Sequence, residues 1–222
     1  MKGTLYFLML TLLTSMACGP SLAEIKGWEE QKDISQLILA LQKEDREVYR
    51  ARIVAALGEI KDKKVVRALL AALNDPEPDV RKEAVEGLGK LKDPKTMEPL
   101  ISMLKDESAM VREKTVEVLG QMGGSSVLDP LMELLKNKEE KNNIKLAVVI
   151  TLQKIGDTRA ASFLLDLLEE EHDPAIRKNI AQALGKLGDA RSIPSLEKLL
   201  ETDPDQNVRQ EAKNSIERIK ER

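Results

Sequence analysis

Apolar side chains recur along most of this chain at helical spacing. From Val80 onward, Val80, Ala84, Val85, Leu88 and Leu91 fall three or four residues apart and line one face of a helix. A second stripe follows after a short break, as in Met97, Leu100, Ile101 and Leu104, or in Ile193, Leu196 and Leu200. Turn signals separate the stripes. Asp173 with Pro174 and Asp203 with Pro204 have the form of an N-cap followed by proline in the first turn. The pattern predicts one helix hairpin after another.

The hairpins are copies of one another. Six segments align without gaps, starting at Tyr49 (YRARIVAALGEIKDK), Val80 (VRKEAVEGLGKLKDP), Val111, Ile144, Ile176 and Val208, with steps of 31, 31, 33, 32 and 32 residues. A lone hairpin of this size cannot bury its stripe, so neighbours must stack into one continuous core. The shared residues are an apolar residue with Arg at the start, Ala or Val then Leu-Gly in the middle, and an Asp shortly after. They resemble the HEAT-like repeats of the phycobilin lyase type over about Asp45 to Arg222. The resemblance implies an all-α fold, a right-handed α-solenoid of HEAT-like hairpin repeats. Residues 45–222 then hold about five full repeats plus a C-terminal capping helix, where Lys213 replaces the Val or Ala of earlier units. Residues 24–44 are expected to form an N-terminal cap, with Asp33–Leu41 (DISQLILAL) as a lone second helix.

The first 23 residues follow a different pattern. One Lys precedes an apolar run from Leu5 to Ala17, then come Gly19, Pro20 and small residues. This is a secretory signal, too short to span a bilayer comfortably, since spanning takes roughly 20 residues. Two exits compete. Ser21, Leu22 and Ala23 fit cleavage before Glu24, whereas SMAC ending at Cys18 resembles a bacterial lipoprotein box with Ser15 where Leu is usual. The chain is therefore expected to be exported, either periplasmic or anchored at the membrane through a lipid on Cys18. That is the only cysteine, so no internal disulfide can support the body.

Polar residues recur too. A basic residue stands second in every unit (Arg50, Arg81, Arg112, Lys145, Arg177, Arg209), and an acid stands twelve positions later (Asp62, Asp93, Asp157, Asp189). The spacing suggests an inter-repeat ladder in which each Asp accepts from the Arg of the next unit. Recurring Gly58, Gly89, Gly120 and Gly185 are expected to permit close helix contact. In GQMGGSSVLDP, Gly124 takes the place of the Asp, and the following unit has Lys145 for Arg. The junction from Gly123 to Asn143 is therefore expected to be a weak point, a bend or a hinge. It is not a phosphate cradle, which needs a strand before it and a Lys-Ser/Thr helix start after it.

Composition narrows the function. Thirty-five basic and 38 acidic side chains give a net charge of −3, spread without a basic patch, which disfavours nucleic acid as a partner. In a solenoid the second helices line the concave side, and their outward arc carries Glu98, Asp129, Glu133 and Asp166 with Phe163 among them. Phe163 stands where sister units have Ala68, Pro99, Pro130 and Ser195. Such a face suits a basic or mixed-charge segment of another protein. A lone histidine, His172 in a turn, cannot build a metal site, and no nucleophile-histidine pair can be assembled. The expected function is a non-catalytic protein-binding scaffold in the bacterial envelope, with no cofactor and no metal. The alternative implied by the lyase resemblance is an accessory factor for cofactor attachment or enzyme maturation.

Overall fold

The computed structural model describes residues 19–221, and every element in that span is helical: thirteen α-helices with short 3-10 turns and no strand. The signal run and Cys18 lie outside the described residues. The described residues pack as two units that divide between Leu100 and Ile101.

The first unit contains α1 (Leu22–Glu30), α2 (Ile34–Lys43), α3 (Glu47–Glu59), α4 (Val66–Ala72) and α5 (Pro78–Leu91), and α6 (Met97–Ser102) begins within it. Helices α1, α3 and α5 lie side by side in one layer, while α2 packs on α1 and α3, and α4 on α3 and α5. The stripe read from the sequence is the buried face: Val80, Ala84, Val85 and Leu88 have no solvent exposure. Residues 22–43 hold two helices where one was expected. Helix α1 has little stripe to betray it, since Ile25 is its only buried residue. It is defined instead by its cap, in which Ser21 Oγ accepts from the Glu24 amide at 3.3 Å and Glu24 accepts from the Ser21 amide at 2.8 Å. The α3–α5 approach needs glycine on both sides. A Cβ on Gly58 would sit 2.7 Å from the Cα of Gly87, inside any tolerable contact.

The second unit repeats this plan with α7 (Ala109–Met122), α8 (Leu128–Leu135), α9 (Asn142–Ile155), α10 (Ala160–Glu170), α11 (Pro174–Leu187), α12 (Ile193–Thr202) and α13 (Gln206–Lys220). Helices α7, α9, α11 and α13 pack in sequence as the first layer, and α8 touches both α9 and α10. A Cβ on Gly185 would meet the Cα of Ser215 at 2.8 Å, so α11 and α13 also depend on a missing side chain.

The recurring Asp at the end of each first helix has a local task. Asp62, Asp93 and Asp189 accept from the amides of Lys64, Lys95 and Arg191 at 2.9 to 3.0 Å and so start the 3-10 turn that leads into the second helix. Gly124 takes that place without a cap. Gly123 and Gly124 both hold positive φ, +71° and +99°, which an L side chain rarely adopts. The GG pair therefore makes by backbone freedom the turn that its sister units make with a carboxylate.

Candidate functional site

Each basic residue at the second position of a unit lies in the first turn of a first helix, where side chains tilt back toward the N-terminus. The guanidinium consequently reaches the loop just before its own helix. Arg81 donates to the carbonyls of Asp75 and Pro76 (2.9 and 2.8 Å), Arg112 to those of Asp106 and Glu107 (2.8 and 3.1 Å), and Arg209 to those of Asp203 and Pro204 (2.6 and 3.0 Å). The rest of the fork reaches forward to the acid that opens the next turn. Arg50 pairs with Asp75 at 2.9 and 3.0 Å, Arg112 with Glu140 at 2.7 and 2.8 Å, and Arg177 with Asp203 at 2.7 and 3.0 Å. Arg50, Arg112 and Arg177 thus each tie two successive turns together, with parallel charge-assisted bonds to the forward acid.

The ladder exists, but its acids are not those expected. Asp93 caps the 3-10 turn at Lys95, Asp157 pairs with the neighbouring Arg159, and Asp189 with Arg191. The reason is direction. Twelve residues of helix rise about 18 Å, so the expected Asp lies at the far end of the first helix from the arginine end. The second helix runs back and delivers a different acid to that end. Asp75, Glu140 and Asp203 could have been found from sequence, because an acid stands five or six residues before the basic position of each following unit.

These pairs are shielded. The Arg112 side chain is 17% exposed and that of Glu140 0%. Burial alone would push the carboxyls of Asp75, Glu140 and Asp203 up, but the guanidinium and a backbone amide outweigh it and hold all three below the ordinary carboxylate value. The hydrogen bonds they donate to these acids raise Arg50, Arg112 and Arg177 in turn.

The rungs form the floors of a set of grooves between successive second helices. One groove, about 610 Å³, runs between α2 and α4 over Arg50 and Asp75. In the second unit another of about 610 Å³ includes Arg112 and Glu140 beside α8, and one of about 460 Å³ includes Arg177 and Asp203 between α10 and α12. Between these two lies a groove of about 650 Å³ flanked by α8 and α10, where Lys145 and Glu171 take the floor positions.

The family described as HEAT repeats matches residues 34–109, 97–173 and 140–217. The chain belongs to the HEAT-repeat family. Its fold class is accordingly all-α, an α-solenoid of hairpin repeats. Among solved structures it is similar to the complex of CpcE and CpcF of phycocyanin lyase from Nostoc sp. PCC7120, at 23% identity and TM-score 0.58, over 89% of this chain and 77% of that chain. It is also similar to YibA of E. coli, at 22% identity and TM-score 0.64, over 87% of this chain and 70% of that one. An engineered protein matches at 20% identity and TM-score 0.58, over 85% and 97%. At these identities the likeness is one of fold. No curated protein matches the sequence significantly.

Within the HEAT repeats, the expected partner-contacting residues fall into a definite arrangement. Asp129 and Glu133 line the groove over Arg112 and Glu140, and both are exposed. Phe163 and Asp166 line the next groove, with Phe163 half-buried and Asp166 exposed. Glu98 is exposed on α6 in the first unit. The acidic face is diluted by lysines, since Lys136 pairs with Glu133 at 2.8 Å and Lys138 with Glu170 at 2.9 Å. Among the described residues, no three His, Cys, Asp or Glu side chains converge as metal ligands would, and no helix is long and apolar enough to cross a membrane.

The expected weak junction is corrected in one respect. Gly124 and Lys145 were expected to spoil the same joint, but the rung at Glu140 is complete, carried by Arg112. Lys145 affects the next joint instead, at Glu171, because it holds the position from which Arg50, Arg112 and Arg177 serve the turn that follows their own hairpin.

Proposed function

We propose that this HEAT-repeat chain is an exported, non-catalytic scaffold that holds another protein along the face of its second helices. One observation carries the reading. The grooves keep the same plan from repeat to repeat while their lining varies at equivalent positions, as in Ala68, Pro130, Phe163 and Ser195, or Ala71, Glu133, Asp166 and Lys198. A constant frame with a variable lining suits recognition of an extended, heterogeneous segment. Acids exposed among small apolar residues favour a basic or mixed-charge one.

Export is supported by the apolar run at Leu5–Ala17 and its small-residue exit. Of the two exits, the fold of the body favours the one before Cys18. The Pro20 carbonyl accepts from Arg46 at 3.3 Å, and Ser21 with Glu24 caps α1, so cleavage after Ala23 would remove both.

The test is capture from an envelope extract by the purified mature protein and by a variant combining Phe163→Ala with Glu133→Lys and Asp166→Lys. One defined protein retained by the first and lost by the folded second is the expected result. Equal capture would move the binding surface elsewhere. A visible chromophore co-purifying with the protein would instead favour cofactor handling.

A further inference from the structure

We propose that the groove flanked by α8 and α10 receives an arginine side chain from the partner protein, which completes on Glu171 the rung this chain leaves open. The inference rests on the scaffold reading and names the chemistry by which one groove would recognise its partner.

Sister grooves serve as internal controls. Over Asp75, Glu140 and Asp203 the floor is closed by an arginine of the chain itself. In the remaining groove Lys145 stands in that position, and its ammonium turns away to the Lys138 carbonyl at 3.2 Å. Glu171 is nevertheless set up like the other acids. Its Oε1 accepts from the Asp173 amide at 2.8 Å, as Asp75, Glu140 and Asp203 accept from Glu77, Lys141 and Asp205 at 2.9 to 3.0 Å. Among the described residues, no cationic side chain forms an ion pair with Glu171 or with Asp166, which lines the same groove. The amide holds Glu171 in place and Arg177 acts on it through space, as Arg81 and Arg209 act on Asp75 and Asp203, but the paired guanidinium that the preceding repeat gives those acids is missing.

The wall supplies what an incoming guanidinium needs besides charge. Phe163 offers an aromatic face where the sister grooves have Ala68, Pro130 and Ser195, and guanidinium groups stack on such faces. The lysines at the rim are engaged, Lys136 with Glu133 and Lys138 with Glu170, so the carboxylates left for a visitor are Asp166 and Glu171. Arginine fits better than lysine because its planar fork makes two parallel bonds to one carboxylate. A protein segment is favoured over a small cation because the Glu133–Lys136 pair joins this groove to its neighbour, giving a main chain somewhere to run.

The test titrates the mature protein with the acetylated, amidated peptide Ala-Leu-Arg-Leu-Ala and with its citrulline counterpart, followed by 1H–15N NMR. Saturable binding of the arginine peptide, at least about tenfold weaker for citrulline, is expected. Lys145→Arg supplies the guanidinium within the chain, so it should raise Tm and weaken the peptide at least about tenfold. Glu171→Gln should weaken it similarly without raising Tm. Equal binding of the two peptides, unchanged binding to Lys145→Arg, or no saturable binding would overturn the proposal. If wild type and Lys145→Arg then retain the same partner from extract, the scaffold reading stands and only the arginine is wrong. If neither retains a partner, both readings fall.

Discussion

Arg112 and Glu140 form a two-pronged ion pair, at 2.7 and 2.8 Å, between residues 28 positions apart, the second of them in the turn that leads into the next repeat. The same arginine holds the carbonyls of its own preceding turn. One side chain therefore fixes the spacing of two turns, and through them the alignment of the second helices that border the grooves.

Removing it should be costly. Arg112→Ala leaves Glu140 buried without its guanidinium partner, a loss of about 3 to 5 kcal/mol. Arg159, exposed and paired only with its neighbour Asp157, should be replaceable by Ala with no measurable change in Tm. Thermal melts of both variants check this, and equal effects would remove the rung as a stabilising element.

The pH dependence follows from the same carboxyls. Asp75, Glu140 and Asp203 are held below their ordinary values in the folded chain, so the unfolded chain takes up protons first on acidification. Their contribution is whole above the ordinary carboxylate range and is lost as pH falls through the depressed folded values. Tm should decline on that acid side, and Glu140→Gln should start lower and decline less. A Tm that rises on acidification would contradict the assignment.

Glycines separate by neighbour. Gly58→Ala places a Cβ against the Gly87 backbone and should cost about 1 to 3 kcal/mol. Gly27, in the middle of α1 with nothing near its missing Cβ, should gain stability as Ala, by about 1 kcal/mol. Denaturant midpoints of the two variants should therefore move in opposite directions.

The hairpins were legible because burial follows the stripe directly, as at Val80, Ala84, Val85 and Leu88. The position of Phe163 in a groove lining was legible for the same reason, since repeat alignment carries every position to an equivalent place. The acids of the ladder were misread because a one-dimensional spacing does not say which end of a helix a residue occupies. Asp157 and Asp189 fell at a regular interval, yet they lie a helix length from the arginines they were matched to. Helix α1 was missed because its cap, rather than an apolar face, defines it.

Site-specific photo-cross-linking in the native host tests the central claim most directly. A benzoylphenylalanine at position 163, in the groove, is compared with one at Glu113, exposed on the first helix α7. One discrete cross-linked product at 163 and none at 113 is the expected result. Products at 113 but not at 163, or at neither position, would contradict the account.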